Sequence, residues 1–459
     1  MAGVGLLLRK LDPYGSFIGL ARMYGAAAVI SSGPWLISIL GILAVGLLSI
    51  DGHPADGVTE FQVSVTYLFA ASLVLTGLLQ FLFTRYVADR LFEERRDLVV
   101  PSLMACALVT TLVAGGVALV LVYTLFEGTS LEYRGLMVVG FVVMSNLWLV
   151  VILLTSLKAY ARIVAVFLVV YALILGASQL LLAFGLEGLL LAFVGGQTLL
   201  LFALLGIVLR EYSSSTFLGW DMGRLSQVHL DLAWTGLFYN VAVWVDKVAF
   251  WMHPVTGSQV IGPLRASVVY DVPIFLAYLT IVPGMSVFLV RVETDFAELY
   301  DQTYDMVRNG APLVEIERSR DRMIESVRQG VYEILKVQGI TLALAFLFAP
   351  RVLELLHISE HYLVLFYIDA VGVAAQVLFL SILNVLFYLD QRAIALACCA
   401  GFAALNLVLT LITQSLGPAY YGYGFTFSGI IIVVIGLGAL SRKLEHLVRE
   451  TFMLQSVTR

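Results

Sequence analysis

After Arg22 the chain meets no charged side chain until Asp51, and the residues between are predominantly apolar. An α-helix rises about 1.5 Å per residue, so about 20 such residues cross the ~30 Å hydrocarbon core of a bilayer. The signature recurs along the whole chain. Predicted spans are Ala21–Ile50, Gln62–Thr84, Val99–Phe126, Gly135–Leu157, Ile163–Phe184 and Glu187–Leu209, then Asp231–Trp251, Ser267–Val290, Val331–Leu356, Leu363–Leu389, Ala393–Leu416 and Tyr423–Leu440. Composition excludes the soluble alternative. Hydrophobic residues make up 60% of the 459 and charged ones 13%, against roughly 45–50% and ~25% in soluble domains. Too few charges remain to cover the apolar surface in water. In lipid the constraint reverses, and helices satisfy their own backbone. The reading is an all-α polytopic membrane protein of about twelve spans.

Lysine and arginine orient it, because basic loops stay in the cytoplasm. With the N-terminus inside, one side holds Arg9, Lys10, Arg22, Arg85, Arg90, Arg95, Arg96, Lys158, Arg162, Arg210, Arg224, Arg392, Arg442, Lys443, Arg449 and Arg459. The long loop before the ninth span adds Arg291, Arg308, Arg318, Arg320, Arg322, Arg328 and Lys336, while the opposite side keeps Arg134, Arg265 and Arg351. Both termini are expected in the cytoplasm.

The polar stretch Arg210–Leu230 divides the helices evenly. The expected organisation is a six-helix bundle over 1–209, a cytoplasmic linker over 210–230 and a second six-helix bundle over 231–459. Parallel repeats of this kind occur in several transporter folds. The second bundle carries the one substantial extramembrane segment, 293–330. It alternates acids and bases around a thin apolar stripe of Val314, Ile316, Met323, Ile324 and Val327. That pattern fits either a solvated extension of two helices or a docking surface for a cytoplasmic partner.

Catalytic and cofactor chemistry finds no motif. No G-x-x-x-x-G-K-[ST] or G-x-S-x-G occurs, so ATP hydrolysis of the P-loop kind is excluded and no cofactor is expected. Cys106, Cys398 and Cys399 lie in apolar runs and no spaced Cys/His set accompanies them, so no metal is expected. Basic residues are not massed as a nucleic-acid binder requires, and the net charge is −5.

Polar groups inside spans are then informative, since each is costly unless paired or hydrated. The seventh span, FYNVAVWVDKVAFW, sets Asn240, Trp244, Lys247 and Trp251 at helical spacing on one face. Asp246 lies about a hundred degrees round with Tyr239. Indole faces stack on the C–H surface of sugars while amides and charges bind hydroxyls, so this face reads as a substrate path. The structural alternative is pairing for packing alone, or Lys247 snorkelling to the periplasmic interface. Asp271, in RASVVYDVPIF, is a further path candidate, able to pair with Lys247 or Arg265 or to line an acidic vestibule. Pro273 and Pro283 interrupt the ladder of that span, and Gly33 with Pro34 in ISSGPW is the matching helix-break or hinge candidate in the first. Asn146, Gln179, Gln197, Gln376, Asn384 and Asn406 are expected to bridge helices.

Several of these stretches, with the opening MAGVGLLLRKL and SVVYDVPIFLAYLTIVPGMSVFLVRVETDF of the eighth span, resemble the PelG-like family over the whole chain. These are the inner-membrane transport components of the Pel exopolysaccharide system. The resemblance implies the fold of the multidrug/oligosaccharidyl-lipid/polysaccharide (MOP) flippase superfamily, two six-helix bundles about a central cavity. It further implies the cytoplasmic glycosyltransferase PelF and the membrane proteins PelD and PelE as partners, PelD sensing cyclic di-GMP. The cargo it implies is a cationic polymer of N-acetylated and free amino sugars. Such cargo suits Asp246 and Asp271 and leaves Lys247 harder to explain. No site residue is carried over from the family. The expected function is export of this polysaccharide, without enzymatic activity. The alternatives are a lipid-linked oligosaccharide flippase, an ion-coupled antiporter of the same fold, or a membrane scaffold for the synthase.

Overall fold

A computed structural model of the chain describes residues 16–49, 55–154, 160–212, 214–221, 229–355 and 358–447. The opening MAGVGLLLRKL motif and the basic residues Arg9, Lys10, Lys158, Arg224, Arg449 and Arg459 lie outside them. Within the described residues each predicted span is helical, apart from residues near span ends, such as Ser267, and a break at Thr280 in the eighth. In chain order the helices are α1 (Phe17–Ser49), α2 (Ala55–Phe92), α3 (Val99–Leu125), α4 (Leu131–Leu154), α5 (Tyr160–Leu180), α6 (Gly185–Glu211) and α7 (Leu230–Met252). A short antiparallel hairpin follows, β1 (Ser258–Ile261) and β2 (Leu264–Ala266). Then come α8 (Val268–Leu279), α9 (Ile281–Val290), a π-helical turn (Arg291–Phe296), α10 (Ala297–Arg308), α11 (Leu313–Leu355), α12 (Leu363–Tyr388), α13 (Arg392–Leu416) and α14 (Tyr423–Glu445).

Among the described residues, 11 helices are long and apolar enough to cross a membrane. Helix α7 is not one of them, because Asn240, Asp246 and Lys247 dilute its apolar content. It has the length, at 23 residues. Helix α3 shows why the surroundings are lipid. Its buried residues Thr110, Ala114, Ala118 and Val122 recur every fourth position, while Leu112, Val113, Val120 and Tyr123 stand exposed. Small residues face inward and large apolar ones outward, an arrangement water would penalise.

Two compact units emerge from the contacts, Gly33–Val268 in one and Met1–Ser32 with Val269–Arg459 in the other. These limits differ from the sequence division at 210–230, since α7 groups with α2 to α6 and with the part of α1 after Ser32. In the first unit α2 packs on α4 and α7, α4 on α3 and α6, and α5 on α6. In the second α14 packs on α12 and α13, and α11 on α9, α10 and α12. The described part of the linker folds back on the first unit. Asp221 accepts from Tyr86 and pairs with Arg90 at 3.3 Å.

Prolines shape two helices differently. Pro34 sits inside an uninterrupted α1, so the ISSGPW stretch costs a backbone bond without ending the helix. The limit between the compact units nonetheless falls beside it, between Ser32 and Gly33. Pro273 likewise lies inside α8, whereas Pro283 has no N–H to offer Leu279, and the helix divides at Thr280.

Segment 293–330 is helical on both sides of a turn. Gly310, with φ 66°, stops α10, and Pro312 precedes α11. Ile316, Met323 and Val327 are buried, and Thr303 and Ser319 share a 2.8 Å hydrogen bond. Most of the apolar stripe is therefore consumed within this unit, as an extension of two helices requires.

The polar bridges are largely as expected. Asn146 Nδ2 donates to Thr111 Oγ1 at 2.9 Å, Gln197 Nε2 to Tyr171 at 2.8 Å, and Tyr278 donates to Gln376 Oε1 at 3.0 Å. Asn406 instead accepts from Thr410, one turn along its own helix.

Candidate functional site

Helix α7 ends because Pro254 forces His253 out of helical geometry, to φ −70° and ψ 133°. Its middle crosses α2 at two glycines. A Cβ at Gly77 would lie 2.8 Å from the Gly236 carbonyl oxygen, and one on Gly236 would meet the Gly77 carbonyl. Only hydrogen at both positions lets the backbones approach so closely.

That approach builds a polar ladder beside the crossing. Asn240 Nδ2 donates to Gln80 Oε1 at 3.1 Å and to the Gly236 carbonyl at 2.9 Å. Gln80 Nε2 donates to Thr76 Oγ1 at 3.2 Å, and Thr76 to the Ser72 carbonyl at 2.8 Å. The Trp148 indole donates to Ser72 Oγ at 2.9 Å. Asn240 is thus buried and engaged, and Tyr239 packs near Phe81 with ring centres 6.4 Å apart.

About two turns further on stands the ion pair, with Trp244 and Trp251 about one and three turns on. Asp246 is fully buried and Lys247 6% exposed. Lys247 Nζ donates to the two carboxylate oxygens of Asp246 at 3.0 and 3.3 Å, and to the Val243 carbonyl at 2.9 Å. Of the alternatives open for Lys247, the geometry is that of pairing with Asp246 and not of snorkelling. Its ammonium turns back onto its own helix, where a carboxylate and a carbonyl replace water.

Trp251 stacks on Tyr67 with centres 4.7 Å apart, and Trp244 lies 6.3 Å from Trp251. The hairpin closes this end. Arg265 donates from Nε to the Trp251 carbonyl at 2.9 Å and from Nη2 to the Gly257 carbonyl at 2.7 Å. The Tyr67 hydroxyl donates to the Arg265 carbonyl at 3.0 Å. Arg265 therefore serves an orphan carbonyl at the end of α7 and one in the segment that leads from it to the hairpin.

Tyr239, Asn240, Trp244, Asp246, Lys247 and Trp251 are brought together on one helix of the first unit. Asp271 belongs to the second unit, half-buried in the first turn of α8. Sequence reasoning missed the partners on α2. Ser72, Thr76 and Gln80 repeat every fourth residue in an apolar helix, a visible polar stripe that marks an interface without naming Asn240 as its partner. Tyr67 and Arg265 left no comparable signal. Among the described residues no group of three His, Cys, Asp or Glu is arranged to hold a metal, and the three cysteines are buried and free.

The comparisons agree with this architecture. Residues 1–452 match the PelG family model, described as "Putative exopolysaccharide Exporter (EPS-E)". Among curated proteins none matches. Solved transporters share the fold. A multidrug-resistance MATE transporter of the MOP superfamily in its outward-facing conformation aligns with TM-score 0.64 and 13% identity, over 92% of this chain and 96% of that one. A MATE protein in the bent conformation gives 0.65 and 12%, over 98% and 99%. A MOP superfamily transporter from Pyrococcus furiosus, noted for the reverse polarity of its binding pocket, gives 0.64 and 14%, over 92% and 96%. Identities this low establish the fold and no more. The family rests on the sequence match, and the chain belongs to the PelG family of exopolysaccharide exporters.

Proposed function

We propose that this protein carries the Pel polysaccharide, a cationic amino-sugar polymer, across a bacterial inner membrane with both termini in the cytoplasm. The observation that carries the reading is the Asp246–Lys247 pair, held inside an α7 face of rings and amide. Lys247 acts as a placeholder. Its ammonium neutralises Asp246 in the resting protein, and the ammonium of a passing amino sugar exchanges with it. Asp246 then remains paired throughout, which avoids the several kcal/mol that a bare buried carboxylate costs. Trp244, half-buried beside Trp251, offers a ring face to the sugar's C–H surface. Asp271 is a separate acidic contact for the sugar within the second unit, and Gly33 and Pro34 give α1 a hinge.

Polymer and driving force come from the cytoplasmic glycosyltransferase PelF, in company with PelD and PelE. The chain's lack of a nucleotide motif supports placing the motor elsewhere.

Polymer secretion by cells carrying Asp246→Asn together with Lys247→Met, at wild-type protein level, tests this reading. Loss of secretion is expected. Normal secretion removes the pair from the path. An ion-coupled drug antiporter would instead show uptake or efflux that follows an imposed ion gradient in vesicles lacking the glycosyltransferase.

A further inference from the structure

We infer that the linker stretch 214–221 is a membrane anchor, bedded in the headgroup layer where α2 leaves the bilayer and α3 enters it. The stretch, SSTFLGWD, is polar over half its length yet sets three large apolar side chains close together. All three are left uncovered. Phe217 is 68% exposed, Leu218 58% and Trp220 56%. The anchor does not depend on which cargo the protein carries.

The backbone beneath them is pinned to the first unit. Gly219 N–H donates to the Pro101 carbonyl at 3.3 Å. A Cβ at 219 would stand 3.2 Å from Pro101 Cβ, so glycine lets the stretch lie close on the first turn of α3. Two residues on, Asp221 accepts from the Tyr86 hydroxyl at 3.3 Å and pairs with the buried Arg90 at the same distance. Ser214 Oγ donates to the Thr216 carbonyl at 2.9 Å and accepts from its N–H at 3.3 Å, a local turn outside any helix.

These two contacts set the depth. The uncharged run of α2 ends at Thr84, just before Tyr86 and Arg90, and that of α3 begins after Asp97, just before Pro101. The stretch therefore lies at the edge of the hydrocarbon. Its non-helical backbone keeps it out of the hydrocarbon itself, where free N–H and C=O groups find no partners. The headgroup layer meets both demands, hydrating the backbone while taking up indole, phenyl and leucine side chains. A protein partner is the other kind of cover for exposed apolar side chains. Depth favours lipid, which already surrounds the helices at this level. Charge adds little to the hold, since the turn between α2 and α3 sets Glu93, Glu94 and Asp97 against Arg95 and Arg96. Burial of apolar surface is left as the source of affinity.

Trp220 reports on its own surroundings. The full-length protein is placed in phosphatidylcholine vesicles, and Trp220 emission is taken as the difference between wild type and Trp220→Phe. Lipid brominated near the headgroup end of its acyl chains is expected to quench more than half of that emission. Lipid brominated near the chain ends should quench less, and aqueous iodide least. Added phosphatidylglycerol should leave the pattern unchanged. A nitroxide on Leu218→Cys gives an independent answer, since the three native cysteines are buried. Its relaxation should respond more to oxygen, which partitions into lipid, than to a water-soluble nickel chelate. Emission quenched by iodide but not by brominated lipid, or a nitroxide that responds chiefly to nickel, overturns the anchor and leaves the surface to a protein partner. Quenching that appears only with phosphatidylglycerol also overturns it, because charge is then the holding force.

Discussion

Lys247 donates to both carboxylate oxygens of Asp246, the residue immediately before it, at 3.0 and 3.3 Å. Side chains adjacent in a helix point about 100° apart, so this contact needs the full length of the lysine arm folded back along α7. Removing either partner strands a buried charge, at a cost of about 3–5 kcal/mol. Asp246→Ala and Lys247→Ala are each expected to lower the thermal midpoint of the purified protein markedly. The double variant Asp246→Asn, Lys247→Met should sit nearer the wild type. A loss in the double variant as large as the two single losses together would show that the pair is not coupled.

Gly236→Ala tests the crossing of α7 and α2. Its new methyl meets the Gly77 carbonyl, and backbone gives way less readily than a flexible side chain. Overpacking of this kind costs about 1–3 kcal/mol. A lowered thermal midpoint is expected, whereas Gly116→Ala on α3, where a Cβ meets nothing, serves as the silent control.

Arg291 presents a planar fork to Glu333, and lysine has no second arm. Arg291→Lys should therefore recover little of what Arg291→Ala loses in stability. Full rescue by lysine, measured by thermal denaturation in the same detergent, would reduce the contact to simple charge.

Gln80→Leu interrupts the ladder between Thr76 and Asn240. Interhelical hydrogen bonds within membranes are worth about 0.6 kcal/mol on average, up to ~1.7. A small drop in the thermal midpoint is expected, with Asn240→Leu adding little on top, because the two side chains share one bond. Additive losses would mean that each side chain is held separately.

Hydropathy made the helices legible, because a span must be apolar along its whole length whatever it packs against. The same reasoning read Asn240, Trp244, Lys247 and Trp251 onto one face, which needs only helical spacing. Partnerships between helices were another matter. Glu333 meets Arg291 and Gln80 meets Asn240 because of how α11 lies on α9 and α7 on α2, and no local pattern encodes that. Lys247 was ambiguous for a different reason. A lysine near a span end ordinarily reaches for water, and only the buried Asp246 beside it made the inward turn cheaper. The limits of the compact units were equally hidden, since α7 follows a polar linker yet packs back on α2.

Helix α11 runs 43 residues without a break. That is about 65 Å at the helical rise, roughly twice the thickness of the hydrocarbon it crosses. The stretch from Leu313 to Gly330 alone accounts for about 27 Å of it. The helix is therefore a rigid mast, and α10 is its stay. Anything seated at its tip is held well beyond the Debye length of about 8 Å at physiological salt. Headgroup charge is screened there, so lipid composition should leave an encounter at the mast's tip unchanged while still acting on its foot.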